Sequence, residues 1–149
     1  MKAILRNSSL VFETAKTLVN YLDPTAVRNG IYNGNGTIGF TNQYAYFCSD
    51  FIPVQEEGLI WTPEHMPATT TFTSYTVFDA NKNYIRDVKF NETDYNKYTY
   101  QSGDAYIVVN LYKNGLTDIA GCQTEAATRC VVSGDEYQFV PYVPSERHT

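Results

Sequence analysis

Short runs of aromatic and β-branched residues recur at roughly ten-residue spacing along most of this chain, and Gly, Asn, Asp or Pro closes nearly every one. That rhythm is the strongest constraint on what the chain can become. Tyr44 to Ile52 reads as a strand ending at Pro53, and Leu59–Trp61–Thr62 as a short one before Pro63. Thr70 to Phe78 is an unbroken strand run, turned back by Asp79–Ala80–Asn81–Lys82–Asn83 into Tyr84–Phe90. Tyr95–Tyr100 is polar and aromatic, and Ala105–Tyr112 is almost continuously apolar, as expected of a strand inside a sheet. Arg129–Val132 and Glu136–Val140 complete the series. Strand side chains alternate between faces, which places Phe72 and Phe78 on one side and Tyr75 and Val77 on the other. Both sides are apolar, so both are expected to be covered. The reading is an all-β fold, an antiparallel β-sandwich of jelly-roll type.

The N-terminal segment departs from this rhythm. Leu10, Val11, Ala15, Leu18, Val19 and Leu22 fall near one stripe at helical spacing, with Ser8 or Ser9 as cap and Asp23–Pro24 as stop. The competing reading is an extended arm with Ile4, Leu5 and Leu10–Phe12 in strands. Either way, residues 1–22 are expected to be an attachment or oligomerisation segment, acting through Leu10, Val11, Leu18, Val19 and Leu22. Residues 23–149 form the sandwich domain.

A chain of 149 residues is one domain's worth, and it buries enough surface for a real core. Its net charge of −5 argues against a nucleic-acid partner, which needs a basic footprint. The first residues lack the apolar run of a secretory signal, and no stretch is long and apolar enough to cross a membrane, so no membrane partner is expected. The protein is expected to stay in the cell that made it, or to leave by lysis. Three cysteines, Cys48, Cys122 and Cys130, are an odd number, which favours reduced thiols; a Cys122–Cys130 bridge across a hairpin is the competing arrangement.

No motif selects a catalytic group. Asp79-x-Asn81-x-Asn83 opens like a calcium loop, but the positions needing Gly and Glu hold Tyr84 and Phe90, so an Asx-rich turn explains it better. Ser133–Gly134–Asp135 is no nucleophile elbow, and His65 and His148 have neither a nucleophile partner nor a zinc-ligand spacing. No catalytic residue, metal or cofactor is expected. An esterase or glycosidase would need a constellation that the sequence does not mark. The thirteen tyrosines offer amphipathic rings of the kind used by sugar-binding surfaces. Candidate carbohydrate-binding residues are the rings of Trp61, Tyr75, Tyr46 and Tyr98, with Asp79 and Asn81 as loop hydrogen-bonders.

Asp50–Phe51–Ile52–Pro53–Val54, Gly58, Thr76–Val77–Phe78–Asp79–Ala80–Asn81–Lys82–Asn83–Tyr84–Ile85 and Gly103–Asp104–Ala105–Tyr106–Ile107 together resemble a recurring β-sandwich module. Its pattern runs S-D-Y-I-P-V-x-P-G, Y-D-x-N-K-x-F-I and P-x-x-A-x-Y-I-R. It is similar to the galactose-binding-like jelly rolls of bacteriophage tail, fibre and baseplate proteins and of gut-bacterial hydrolases. The likeness spans about residues 20–112; it loses the module's Pro at Gln55–Glu57 and its Arg at Val108. The resemblance implies a non-enzymatic virion component, a short fibre, decoration or receptor-binding protein. Such a protein is made in the host cytoplasm, assembles with other virion proteins and forms a homo-oligomer, a trimer by family likeness. The alternative is a lectin-like module for a host surface glycan.

Overall fold

The computed structural model describes residues 18–63 and 71–144 in full, and residues 2–6 and 9–13 as strand backbone. Strand β1 (Lys2–Arg6) pairs antiparallel with β2 (Ser9–Glu13), from Lys2 opposite Glu13 to Arg6 opposite Ser9. The helical reading of 10–22 therefore gives way to the extended one. A β-branched, aromatic run beside a second such run satisfies its backbone across the pair, and stiff χ1 angles disfavour the helix. This hairpin forms a sheet of its own.

The segment before Pro24 does not separate from the sandwich where the sequence suggested. Leu22 is 1% exposed and belongs to the main core. Asn20 is buried; its side chain accepts from Val131 N–H and donates to the Arg129 carbonyl, while Tyr21 N–H donates to the Val131 carbonyl. Leu22 is thus a core residue, and the sandwich begins by Asn20. Leu18 and Val19 are half-buried.

Beyond a 3-10 turn at Pro24–Ala26, short strands follow: β3 (Arg28–Asn29), β4 (Ile31–Tyr32), β5 (Ile38–Gly39), β6 (Tyr46–Cys48), β7 (Ile52–Pro53) and β8 (Leu59–Trp61). Then come β9 (Thr73–Phe78), β10 (Tyr84–Lys89), β11 (Lys97–Tyr98), β12 (Tyr106–Tyr112) and β13 (Val131–Ser133). The larger sheet runs β10-β9-β12-β6-β3 and every pairing is antiparallel. The apolar strand β12 lies inside it, as its composition required.

β6 and β7 take successive stretches of β12, with Ser49–Phe51 as a break between them. At the break Ser49 N–H donates to the Val109 carbonyl, and Val109 N–H donates to the Ser49 hydroxyl instead of a backbone carbonyl. The smaller sheet, β11-β8-β13, packs across the first: Leu59, Trp61, Tyr98 and Val131 meet Tyr75, Val77, Ile107, Val109 and Leu111. This is the antiparallel two-layer sandwich expected.

One helix, α1 (Ile119–Ala126), went unforeseen. Asp118 caps it by accepting from Gly121 N–H at 2.8 Å, and Cys122 and Ala126 seat it on the core. The expected strand Glu136–Val140 forms no ladder among the described residues.

Candidate functional site

The candidate rings divide between the two faces of the larger sheet. Trp61, Tyr75 and Tyr98 are 2%, 6% and 1% exposed and form one edge-to-face ladder, with centroids 5.1 Å apart between the first two and 6.3 Å between the last two. Tyr75 donates its hydroxyl to the Lys97 carbonyl. Tyr98 donates to Asp104 at 2.5 Å, and Arg86 holds the same carboxylate through two bonds at 2.9 and 2.6 Å. Burial pushes Tyr75 up to about 12. Burial also raises Tyr98, assisted by its bond to the Asp104 carboxylate. Burial alone would raise Asp104, yet its bonds to Arg86 and Tyr98 hold it below the ordinary carboxylate range. These three rings are interior walls with no face turned to solvent, because both sheets close over them; as sugar-stacking rings they are corrected.

Tyr46 sits on the opposite face, half-buried and stacked on Phe40 at 4.5 Å, with Phe72 and Tyr112 around it. Asp79 and Asn81 lie at the β9–β10 turn. Asp79 accepts from Asn81 and Asn83 N–H, both at 2.9 Å; the Asn83 bond chiefly lowers its pKa. The acidic turn is therefore an Asx turn, and the carboxylate is committed to the backbone. The six candidates do not meet at one place.

The structure gathers a different set around Phe51. Because Ser49–Phe51 interrupts the strand, the Phe51 ring lies on the outer face of the larger sheet, half-buried, against Phe78 at 5.1 Å and Tyr106 at 5.9 Å. Tyr32 completes the group, 5.3 Å from Phe78. Tyr32 reaches it from β4, whose approach depends on Gly30: at φ +95° a Cβ there would stand 2.7 Å from the Gly39 carbonyl oxygen. Two cations cap the rings. Arg28 lies 5.1 Å from the Phe51 centroid and 5.4 Å from that of Tyr32, and donates to the Tyr32 hydroxyl and the Ser49 carbonyl. Lys82 lies 4.6 Å from Phe51 and 5.7 Å from Tyr106, carried there by the Asp79 turn. Such contacts contribute about 0.5–1 kcal/mol at exposed sites.

Phe51 also walls a groove of about 260 Å³ with Tyr21, Asp23, Ala26, Asp50, Ile52, Pro53 and Tyr142. Burial raises the Tyr142 hydroxyl, and Asp23 beside it adds to the rise. Rings and carboxylates at one concavity can stack on and hydrogen-bond to a small polar ligand. No sequence pattern could pair Tyr21 with Tyr142; only the fold joins them.

All three cysteines are free and buried, and burial lifts Cys48 to about 11, so its thiol is protonated near neutral pH. His65 and His148 lie outside the described residues. Among the described residues, no cluster of His, Cys, Asp and Glu could hold a metal ion, and no helix is long and apolar enough to cross a membrane. The chain matches no protein-family model, no curated protein and no solved structure.

Proposed function

We propose that the chain is a non-enzymatic structural component of a bacteriophage particle, a short fibre, decoration or receptor-binding protein, whose jelly roll is displayed and whose first residues hold it in place. One observation carries the reading: among the described residues, β1 and β2 pair only with each other. A lone two-stranded hairpin is marginal in water, so such an element gains its stability from a partner. Exposed strand edges are templates for that partner. Other virion proteins or further copies of the chain supply it, and symmetric closure is the usual outcome for copies.

The test is a deletion that spares the core. Removing residues 1–13 keeps Asn20 and Leu22, so the sandwich should melt as before while incorporation into purified particles is lost. Unchanged incorporation of the deletion variant would overturn the reading, as would absence of the full-length chain from particles.

The groove beside Phe51 favours a second reading, a lectin-like domain for a host surface glycan. Its candidate residues are now Phe51, Tyr142, Asp23 and Asp50 in place of Trp61, Tyr75 and Tyr98. A glycan array with wild type, Phe51→Ala and Tyr142→Ala decides it: a signal lost in both variants supports it, and no wild-type signal removes it.

A further inference from the structure

The chain contains four Asn–Gly pairs: Asn29–Gly30, Asn33–Gly34, Asn35–Gly36 and Asn114–Gly115. The asparagine side-chain amide is a labile group. Glycine has no Cβ, so its backbone nitrogen can approach the amide of the residue before it. The fold decides which of the four pairs is free to react.

Three pairs are held. At Asn29–Gly30 both reacting groups are engaged: the Asn29 side-chain amide donates to the Gln43 and Tyr46 carbonyls, each at 3.1 Å, and Gly30 N–H donates to the Tyr46 carbonyl at 2.8 Å. Asn33 is half-buried, and its side-chain oxygen accepts from Thr73 N–H at 3.2 Å. Asn35 is exposed, but the β4–β5 turn clamps its backbone. Thr37 N–H donates to the Gly34 carbonyl at 2.9 Å and Asn33 N–H to the Thr37 carbonyl at 2.8 Å, around φ values of +49° at Asn35 and +75° at Gly36. Gly36 also backs onto Tyr84, where an added Cβ would stand 3.0 Å from the Tyr84 Cβ. Turning the Gly36 nitrogen onto the Asn35 amide would break this tight turn.

Asn114–Gly115 carries none of these restraints. Both residues are exposed, and among the described residues neither the Asn114 side chain nor the Gly115 N–H has a hydrogen-bond partner. A Cβ added at Gly115 would meet nothing within 4 Å. The flanks are fixed: Lys113 N–H donates to the Ala45 carbonyl at 3.0 Å, and Leu116 packs against the main core. The two residues can therefore reorient without disturbing β12 or α1.

We infer that Asn114 is a site of spontaneous modification, converting to aspartate and isoaspartate in the folded protein. The Gly115 nitrogen gives up its proton and bonds to Asn114 Cγ, and the side-chain nitrogen takes up a proton and leaves as ammonia. Water then opens the cyclic imide at either carbonyl. One opening gives aspartate; the other routes the backbone through the side chain and gives isoaspartate. Water is the only co-reactant, and each event adds one negative charge to the chain's −5. The inference stands apart from both the virion and the glycan readings.

Ageing the full-length protein at mildly alkaline pH in heavy-oxygen water tests it, with peptide mapping by mass spectrometry. Heavy oxygen should appear first at Asn114, as a mixture that a protein-isoaspartate methyltransferase labels, while Asn29, Asn33 and Asn35 stay unconverted. In urea all four pairs should convert at similar rates. Asn114→Gln should remove the acidic species from ion-exchange profiles and leave the melting temperature unchanged, because the site is exposed. Conversion of another pair ahead of Asn114 in the folded protein would overturn the inference. So would an equal lead for Asn114 in urea, or an acidic species that persists in Asn114→Gln.

Discussion

Two groups of aromatic rings, each rich in tyrosine and joined by edge-on or tilted contacts, lie against opposite faces of one sheet. Trp61, Tyr75 and Tyr98 are sealed between the two sheets. Tyr32, Phe51 and Tyr106 are half-buried and carry the Arg28 and Lys82 cations over their rings. The inner hydroxyls of Tyr75 and Tyr98 end on protein groups, whereas the outer rings end on side chains that reach back from solvent. Ring content alone therefore says nothing about binding. The layer above the ring decides whether it is core or surface.

Substitutions on the two faces should separate accordingly. The largest loss is expected from Trp61→Ala, about 3–5 kcal/mol in urea unfolding, because a buried ring leaves a cavity. Trp61→Phe sharpens the point: the indole N–H is buried with no hydrogen-bond partner among the described residues, so the smaller ring should cost under about 1.5 kcal/mol. A loss near that of alanine would mean that the indole is anchored.

Asp104→Asn should follow at about 3 kcal/mol, since Arg86 and Tyr98 lose the charge they bind. The folded pKa of Asp104 lies below its unfolded value, so its contribution is present above about pH 4 and fades as pH falls through the folded value. The urea-midpoint gap between wild type and Asp104→Asn should narrow from pH 7 to pH 3. An unchanged gap would detach Asp104 from the ladder. At the other extreme Tyr75 is raised, so its contribution holds below about pH 10 and is lost as pH climbs towards about 12.

On the outer face, Phe51→Ala should cost about 2 kcal/mol, below Trp61→Ala, because its ring is half-buried. Lys82→Ala is the smallest change, about 0.5 kcal/mol, read from the same urea curves. An outer loss equal to the inner one would erase the distinction between the faces.

Alternation along Thr73–Phe78 was legible because each residue reports its own side, and both sides are indeed covered. The place of β12 was legible for a related reason: an apolar run without polar alternation fits only an interior strand. Helix α1 was hidden because its buried stripe is two small residues, Cys122 and Ala126, and Gly121 weakens the pattern. The arm misled because Leu10 to Leu22 mixes two destinations, a hairpin strand and a core residue, whose spacing imitates a single helix. The groove could not be read at all, since Tyr21 and Tyr142 share it from opposite ends of the chain.

One rung of the central ladder depends on a single oxygen atom. Where β6 gives way to β7, Val109 N–H finds the Ser49 hydroxyl rather than a carbonyl. Ser49 is therefore a position where sequence drift is narrowly confined. Threonine preserves the acceptor; alanine strands a buried amide at about 1–3 kcal/mol, and a larger residue must fit a site with no exposed surface. Slow amide exchange at Val109 in the native protein, quickened selectively by Ser49→Ala, would show the strand break that presents Phe51 to be held by one hydroxyl group.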